Sequence, residues 1–448
     1  MSKHKSFSNK VFVTLQNKVA RLNSLKVVNH LINDEKHDFT RERKLPFNDV
    51  IMIILSMAGA PLQEELHHYF NYKTDTATSS ALVQARDKVL PAAFEELFHS
   101  FNKAFPCNET YRGYRLIAVD GSDLNIPYDP EDLDTYHSNG PNAKVNNQLH
   151  INAAYDILNN RYVNIVIQGA AHKHEQKAMW TMAERFPVKK TIYIADRYYP
   201  TWNNMEHIIR SGKYFLIRTK DIHSKSNILR KFNLPDSEFD RNVKVTLTPL
   251  QTCEVRSKPE KYRFLSSSST FDFFDDDNPF YEVNYRVVRF KLEDGGEEYE
   301  SIITNLPEEE FSAEEIKALY HLRWKEEISF RTLKYTTNLS AVHARKRSSI
   351  LQEIWARAIL YNFSFIIIRE LAKRKEKKKH ARRKYEYVIN TTRAIHLIRD
   401  VLIKRKGGSS PPDLEALISK ETLPLRPGRR DPRKVSAQSV ISFNYRFS

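Results

Sequence analysis

The chain has 448 residues, 41% hydrophobic and 28% charged, enough for two or three domains with a sizeable core and unlike a disordered polymer. Lysine and arginine exceed aspartate and glutamate by 71 − 55 = 16, a balance that favours a polyanionic partner without separating DNA from RNA or an acidic membrane. Two cysteines, Cys107 and Cys253, exclude a disulfide framework or a cysteine-based zinc site. The apolar runs at 50–60 and 363–370 fall short of the roughly 20 residues a membrane span needs. The basic N-terminus lacks the apolar core of a secretory signal, so a cytoplasmic protein with no membrane partner is expected.

Residues 1–105 are predicted to be helical. Leu22, Leu31 and Ile32 sit among polar residues, and Pro46 opens an apolar helix through Val50, Ile51, Ile54 and Leu55. After a polar break at 75–80, helix resumes from Ala81 and is punctuated by Pro91. Arg41, Arg43, Lys44, Arg86 and Lys88 make this region a candidate DNA-binding domain. From Tyr114 the pattern becomes α/β. Strands are expected at 115–119, 149–158, 161–169 and 213–219, and within 190–200 one that ends at Asp196. Helices are expected at 175–186 and 201–212, and a hairpin turn at Asn159-Asn160. This order describes a mixed sheet in a first core segment, 106–220.

Residues 221–305 read as a β-rich insertion. Its strands are expected at 242–250, 262–267, 284–292 and 299–305, with turns at the acidic loop 274–278 and at 294–296. Ser312 is a helix cap with Glu315 at the matching third position. Helix then runs past Lys334, breaks near 336–339 and resumes over 350–371, closing a second core segment, 306–371. Nine of the twelve residues from Lys373 to Lys384 are lysine or arginine, and the tail beyond Gly407 is irregular and basic. Residues 372–448 are therefore expected to serve DNA binding or dimerisation.

Three carboxylates stand out. Asp120 and Asp196 each end a predicted strand, where α/β sheets build their sites. Glu327 lies on the long helix with Tyr320, Arg323 and Lys334. At about 100° per residue these four share a face about 60° wide, which Arg331 extends. Glu326 stands about 100° from Glu327, off that basic stripe, so Glu327 is the preferred third acid. Three converging carboxylates repel unless a cation neutralises them, so Mg²⁺ or Mn²⁺ is expected on Asp120, Asp196 and Glu327. Arg323 offers phosphate a planar fork, Lys334 a point charge, and Tyr320 a hydroxyl or a stacking ring. His172, His174 and His150 lack further ligands at zinc-site spacing and are expected to be structural or surface residues.

The spacing Tyr320-x₂-Arg323-x₃-Glu327-x₆-Lys334 resembles the YREK signature of the DDE transposases of bacterial insertion sequences, the family named for insertion sequence four. Asp120-Gly121 after one strand, Asp196-Arg197-x-Tyr199 after another, and helical segments at 39–51 and 79–89 extend the resemblance over roughly residues 35–370. The resemblance implies an RNase H-like mixed-sheet core with a β-rich insertion, an N-terminal helical domain and a basic helical C-terminal region. Asp120, Asp196 and Glu327 would form the metal triad, and Tyr320, Arg323, Arg331 and Lys334 would hold phosphates of the element end. It also implies a homodimer in a synaptic complex with double-stranded DNA bearing terminal inverted repeats, acting by cut-and-paste through a hairpin into target DNA near the bacterial nucleoid. No tryptophan lies between Trp202 and Trp324, so Phe271, Phe273, Phe274 and Tyr281 are the aromatic candidates for supporting a flipped base. The competing readings are a nuclease of this fold without strand transfer and a non-catalytic DNA-binding repressor.

Overall fold

Alternation of apolar residues after Tyr114 produces strands, and apolar positions three and four apart on either side of that region produce helices. The computed structural model describes residues 6–138, 140, 145–292, 299–342, 344–376, 385–404 and 413–426. The chain opens with helices α1 (Phe7–Leu25), α2 (Phe47–Ser56), α3 (Leu62–Tyr69), α4 (Ser79–Arg86) and α5 (Pro91–Ala104). Strands β1 (Arg115–Ile126), β2 (Tyr136–His137), β3 (Asn146–Asp156) and β4 (Arg161–Gly169) follow. Then come α6 (Glu175–Arg185), β5 (Thr191–Ala195), α7 (Trp202–Arg210) and β6 (Tyr214–Arg218). Next are β7 (Phe239–Thr248), α8 (Cys253–Ser257), β8 (Tyr262–Phe264), β9 (Tyr281–Lys291) and β10 (Tyr299–Thr304). Helices α9 (Ala313–His321) and α10 (Trp324–Arg331), a π-helical turn at Thr332–Thr336 and α11 (Arg347–Glu376) precede β11 (Glu386–Ile389), α12 (Thr391–Lys404), α13 (Leu414–Lys420) and β12 (Thr422–Leu425).

These elements gather into two compact units. One comprises residues 108–123 and 149–328; the other comprises the chain up to Cys107, 124–148 and everything from Ser329. Segments 124–148 and 329–371, expected within the core, thus cluster with the helices.

In the sheet unit the strand order is β4-β3-β1-β5-β6-β10-β9-β7-β8. β1, β5 and β6 run parallel, and β3 and β4 form an antiparallel hairpin that turns at Asn160, whose φ is 50°. The order β4-β3-β1-β5-β6, a hairpin beside three parallel strands, is the RNase H-like arrangement. β10 joins β6 antiparallel, so the β-rich segment prolongs the core sheet.

On one face, Ile117, Val119, Tyr193, Ala195, Phe215 and Ile217 pack against Met179, Met182 and Ala183 of α6 and Met205 and Ile208 of α7. Each of the isoleucine, valine, phenylalanine and methionine side chains, fully buried, contributes about 1.5–3 kcal/mol. Because side chains alternate across a strand, Asp120 and Asp196 fall on the opposite face.

In the helical unit, α11 is buried on nearly every side and packs against α1, α2, α5, α12 and α13. The C-terminal region is more ordered than its composition suggests. Ala394, Ile395, Ile398, Val401 and Leu402 recur at helical spacing and are buried, which folds α12 onto its neighbours. The basic run beyond 376, the tail from 427 and the turn at 294–296 lie outside the described residues. Among the described residues no helix is long and apolar enough to cross a membrane.

Candidate active site

Parallel pairing of β1 with β5 aligns Val119 with Ala195, so Asp120, inside β1, and Asp196, just past the end of β5, emerge side by side. The strand expected to stop at 119 continues through Asp120 to Ile126. The Asp120 carboxylate accepts the N–H of Gly121 at 2.9 Å, and the Asp196 carboxylate accepts the N–H of Tyr198 at 2.9 Å. Burial pushes the Asp120 carboxyl up to about 6. The Gly121 N–H and Arg323 work against that rise, while the negative charges of Asp196 and Glu175 add to it.

Gly121 points the other way. A Cβ there would stand 2.4 Å from the Nε2 atom of His150 and 3.1 Å from the Glu175 carboxyl carbon. His150, buried, bridges Asp123 at 2.6 Å and Glu175 at 3.1 Å, and this pair of carboxylates raises its pKa against the effect of burial. His174 is exposed and caps α6 through the N–H of Lys177.

The long helix departs from the expected continuous wheel. Ser312 and Glu315 form the predicted capping box of α9, but the α-helix stops at His321. Leu322 N–H bonds to Leu319 O, Arg323 N–H to Tyr320 O, Lys325 N–H to Leu322 O and Glu326 N–H to Arg323 O, all three residues back. Such turns advance about 120° per residue, which aligns every third side chain. Tyr320, Arg323 and Glu326 consequently lie together, 3%, 8% and 0% exposed, while Glu327 swings aside with a third of its side chain in solvent. The continuous α-helical wheel is therefore interrupted after His321, although Arg323 and Glu327 stay paired one turn apart.

Arg323 donates to the Glu327 carboxylate at 3.1 Å, with its guanidinium 5.9 Å from the Tyr320 ring centre and 5.6 Å from that of Trp324. Burial opposes the Arg323 charge, but Tyr320, Glu327 and Asp120 outweigh it and hold the group protonated. Burial pushes the Tyr320 phenol up to about 12. Glu326, set aside on the helical wheel, is the acid nearest the strand. Burial and then the Asp120 charge raise its pKa well above the carboxylate range. Nothing in the local sequence separates these neighbouring glutamates; the three-residue turn does. Arg331, exposed at the end of α10, and Lys334, half-buried in the π-helical turn, belong to the helical unit.

A divalent cation suits the aspartate pair. Asp120 and Asp196 offer adjacent oxygen donors, and the charges of Asp196 and Glu175 add to the burial that raises the Asp120 pKa. The Tyr199 hydroxyl is buried with no hydrogen-bond partner among the described residues, and Glu175, Asp120, Glu326 and Asp196 all act on it. Among the described residues no three acidic or histidine side chains already enclose an ion-sized space, and Glu327 instead pairs with Arg323. Of the aromatic candidates for base support, Phe271, Phe274 and Tyr281 pack against the apolar core, and Phe273 lies under the Arg210 guanidinium at 4.5 Å.

The model of the transposase DDE domain matches residues 111–363, more than half of the chain. The transposases of insertion sequence elements IS186A and IS421 of Escherichia coli are each 42% identical to it over 45 residues. That segment is 10% of this chain and 12% of each relative, so the match spans about an eighth of the curated relatives' length. Among solved structures, a cryo-electron microscopy structure of a piggyBac transposase synaptic complex with hairpin DNA aligns with a TM-score of 0.46 at 9% identity, over 96% of this chain and 89% of that one.

Proposed function

The chain belongs to the transposase DDE domain family, and on that premise we propose that it cuts DNA at the terminal inverted repeats of a bacterial insertion sequence and joins the freed ends to target DNA. The observation that carries this reading is the β1–β5 register, which sets Asp120 beside Asp196, together with Arg323 and two glutamates arriving from the long helix. Asp120, Asp196 and Glu327 are the residues that would hold Mg²⁺ or Mn²⁺, which when bound lowers the pKa of an attacking water or 3′-hydroxyl and stabilises the leaving oxygen.

The side chains divide the remaining work. Arg323, backed by Tyr320, exchanges its Glu327 partner for a phosphate oxygen of the element end, which frees Glu327 to turn toward the aspartates. Arg331 and Lys334 take further phosphates. Glu326, fully buried and acted on by the Asp120 charge, holds the helix against β1. Two protomers bring two ends together in the synaptic complex, and excision passes through a hairpin.

The helical unit supports a DNA partner independently. A cleft of about 760 Å³ is lined by Lys36, Arg41, Arg43, Lys44 and Lys88. Arg86 does not belong to that surface: its guanidinium is buried against Glu353 at 3.0 Å.

The test is cleavage of a duplex taken from the DNA that flanks the coding sequence. Asp120→Asn, Asp196→Asn and Glu327→Gln should each slow Mg²⁺-dependent cleavage on the order of a thousand-fold while binding persists. Glu326→Gln, which keeps the size and shape of that buried side chain, should cleave within about tenfold of the parent. Undiminished cleavage by Glu327→Gln overturns the assignment, and cleavage without joined products would identify a nuclease.

A further inference from the structure

Beside Asp196 lies a small cleft that the chemistry above does not use. Arg197, Tyr198 and Pro200 form one wall, and Lys220, Ser226, Asn227 and Ile228 the other. Its volume of about 170 Å³ is well below the roughly 300–1,000 Å³ of a site for a free small molecule. A ligand seated there would therefore be one unit of a longer chain rather than a free small molecule. The lining holds two cations, an aromatic ring and no acid. Lys220 donates to the Ser226 hydroxyl at 2.9 Å and pairs with no carboxylate among the described residues, so its charge is available.

Both walls are braced. The Tyr198 N–H is held by the Asp196 carboxylate at 2.9 Å, and its carbonyl accepts the side-chain amide of Gln176 at 2.8 Å, yet the residue as a whole is 59% exposed. Opposite, the buried Asn227 amide donates to the carbonyls of Lys220 at 2.7 Å and Asp221 at 2.9 Å, and its oxygen accepts the Leu229 N–H at 2.9 Å. An exposed tyrosine on a clamped backbone, facing an uncompensated ammonium, is the combination that holds a base and its phosphate together.

We propose that this cleft seats the nucleotide next to the scissile phosphodiester, with its base against Tyr198 and its phosphate on Lys220. The bond from Tyr198 to Asp196 places that nucleotide in register with the paired aspartates. The inference rests on the reading of the chain as a DNA-cutting enzyme.

The test uses the full chain and the flanking-DNA duplex, carrying 2-aminopurine at single positions on either side of the cut. With the parent, one position should show quenched emission on binding. Tyr198→Ala should restore that emission and weaken binding on the order of tenfold, and Tyr198→Phe should keep the quench. Lys220→Ala should lower the salt dependence of binding by about one counterion. Parent cleavage with emission and salt dependence unchanged in both variants overturns the cleft and leaves the enzymatic reading standing. Quenching lost in Tyr198→Ala without cleavage by the parent upholds the cleft and overturns the enzymatic reading. A duplex that the parent neither binds nor cuts overturns both.

Discussion

Asp120 occupies its place against its own ionisation. Its pKa rises from 3.8 to about 6, chiefly through burial and then through Asp196 and Glu175, with Gly121 and Arg323 opposing. Between about pH 4 and pH 6 the unfolded chain has released a proton that the folded chain retains. Stability therefore falls as pH rises through that window and is level above it. Asp120→Asn should raise the stability of the metal-free protein at pH 7 by about 2–3 kcal/mol, read as a higher urea midpoint. Millimolar Mg²⁺ should stabilise the parent and leave the variant unmoved, because binding to the folded state alone shifts unfolding. A variant less stable than the parent in chelator would show that Asp120 is not strained. Asp120 and Asp196 were legible as the points where apolar runs stop, but only Asp196 follows a strand end, since β1 continues through Asp120 to Ile126. The burial that perturbs Asp120 was not, because it comes from residues distant in the chain.

At the scale of elements, the capping box at Ser312 and the break after Lys334 are local signals and could be read from residue types alone. The tightening between Leu319 and Glu326 could not. Propensity assigns about 100° per residue throughout a helix, whereas i→i−3 bonds here carry Glu326 inward and Glu327 outward. Helix α4 offers a second case. Arg86 reads as a surface cation, but it donates to Glu353 at 3.0 Å, Gln352 at 3.2 Å and the Ser349 carbonyl at 2.9 Å, all on α11 and all buried. Removing one partner of a buried ion pair strands the other charge. Arg86→Ala should therefore destabilise by about 3–5 kcal/mol, measured by chemical denaturation. A loss below about 1 kcal/mol would mean that solvent reaches Glu353.

Across the whole molecule the surplus of positive charge sets how the protein meets DNA. Arg41 and Arg43 line the basic cleft of the helical unit and pair with no carboxylate among the described residues. Arg41→Ala with Arg43→Ala should weaken duplex binding to a similar extent for every sequence and reduce the salt slope by about two, one for each phosphate no longer neutralised. Fluorescence anisotropy across a salt series measures this. A change confined to one sequence would instead assign these arginines to base edges.

Residue order by itself determined the mixed α/β class, the apolar runs that stop at the aspartates and the cationic segment that carries the glutamates, because alternation, capping and charge spacing are written within short windows. Tertiary structure alone decided which carboxylates meet. Asp120 and Asp196 become neighbours because β1 and β5 pair while burying their apolar face on α6 and α7. Glu326 turns inward at the i→i−3 turns that follow α9, and Asp120, whose charge it meets, lies far back in the chain, outside any short window.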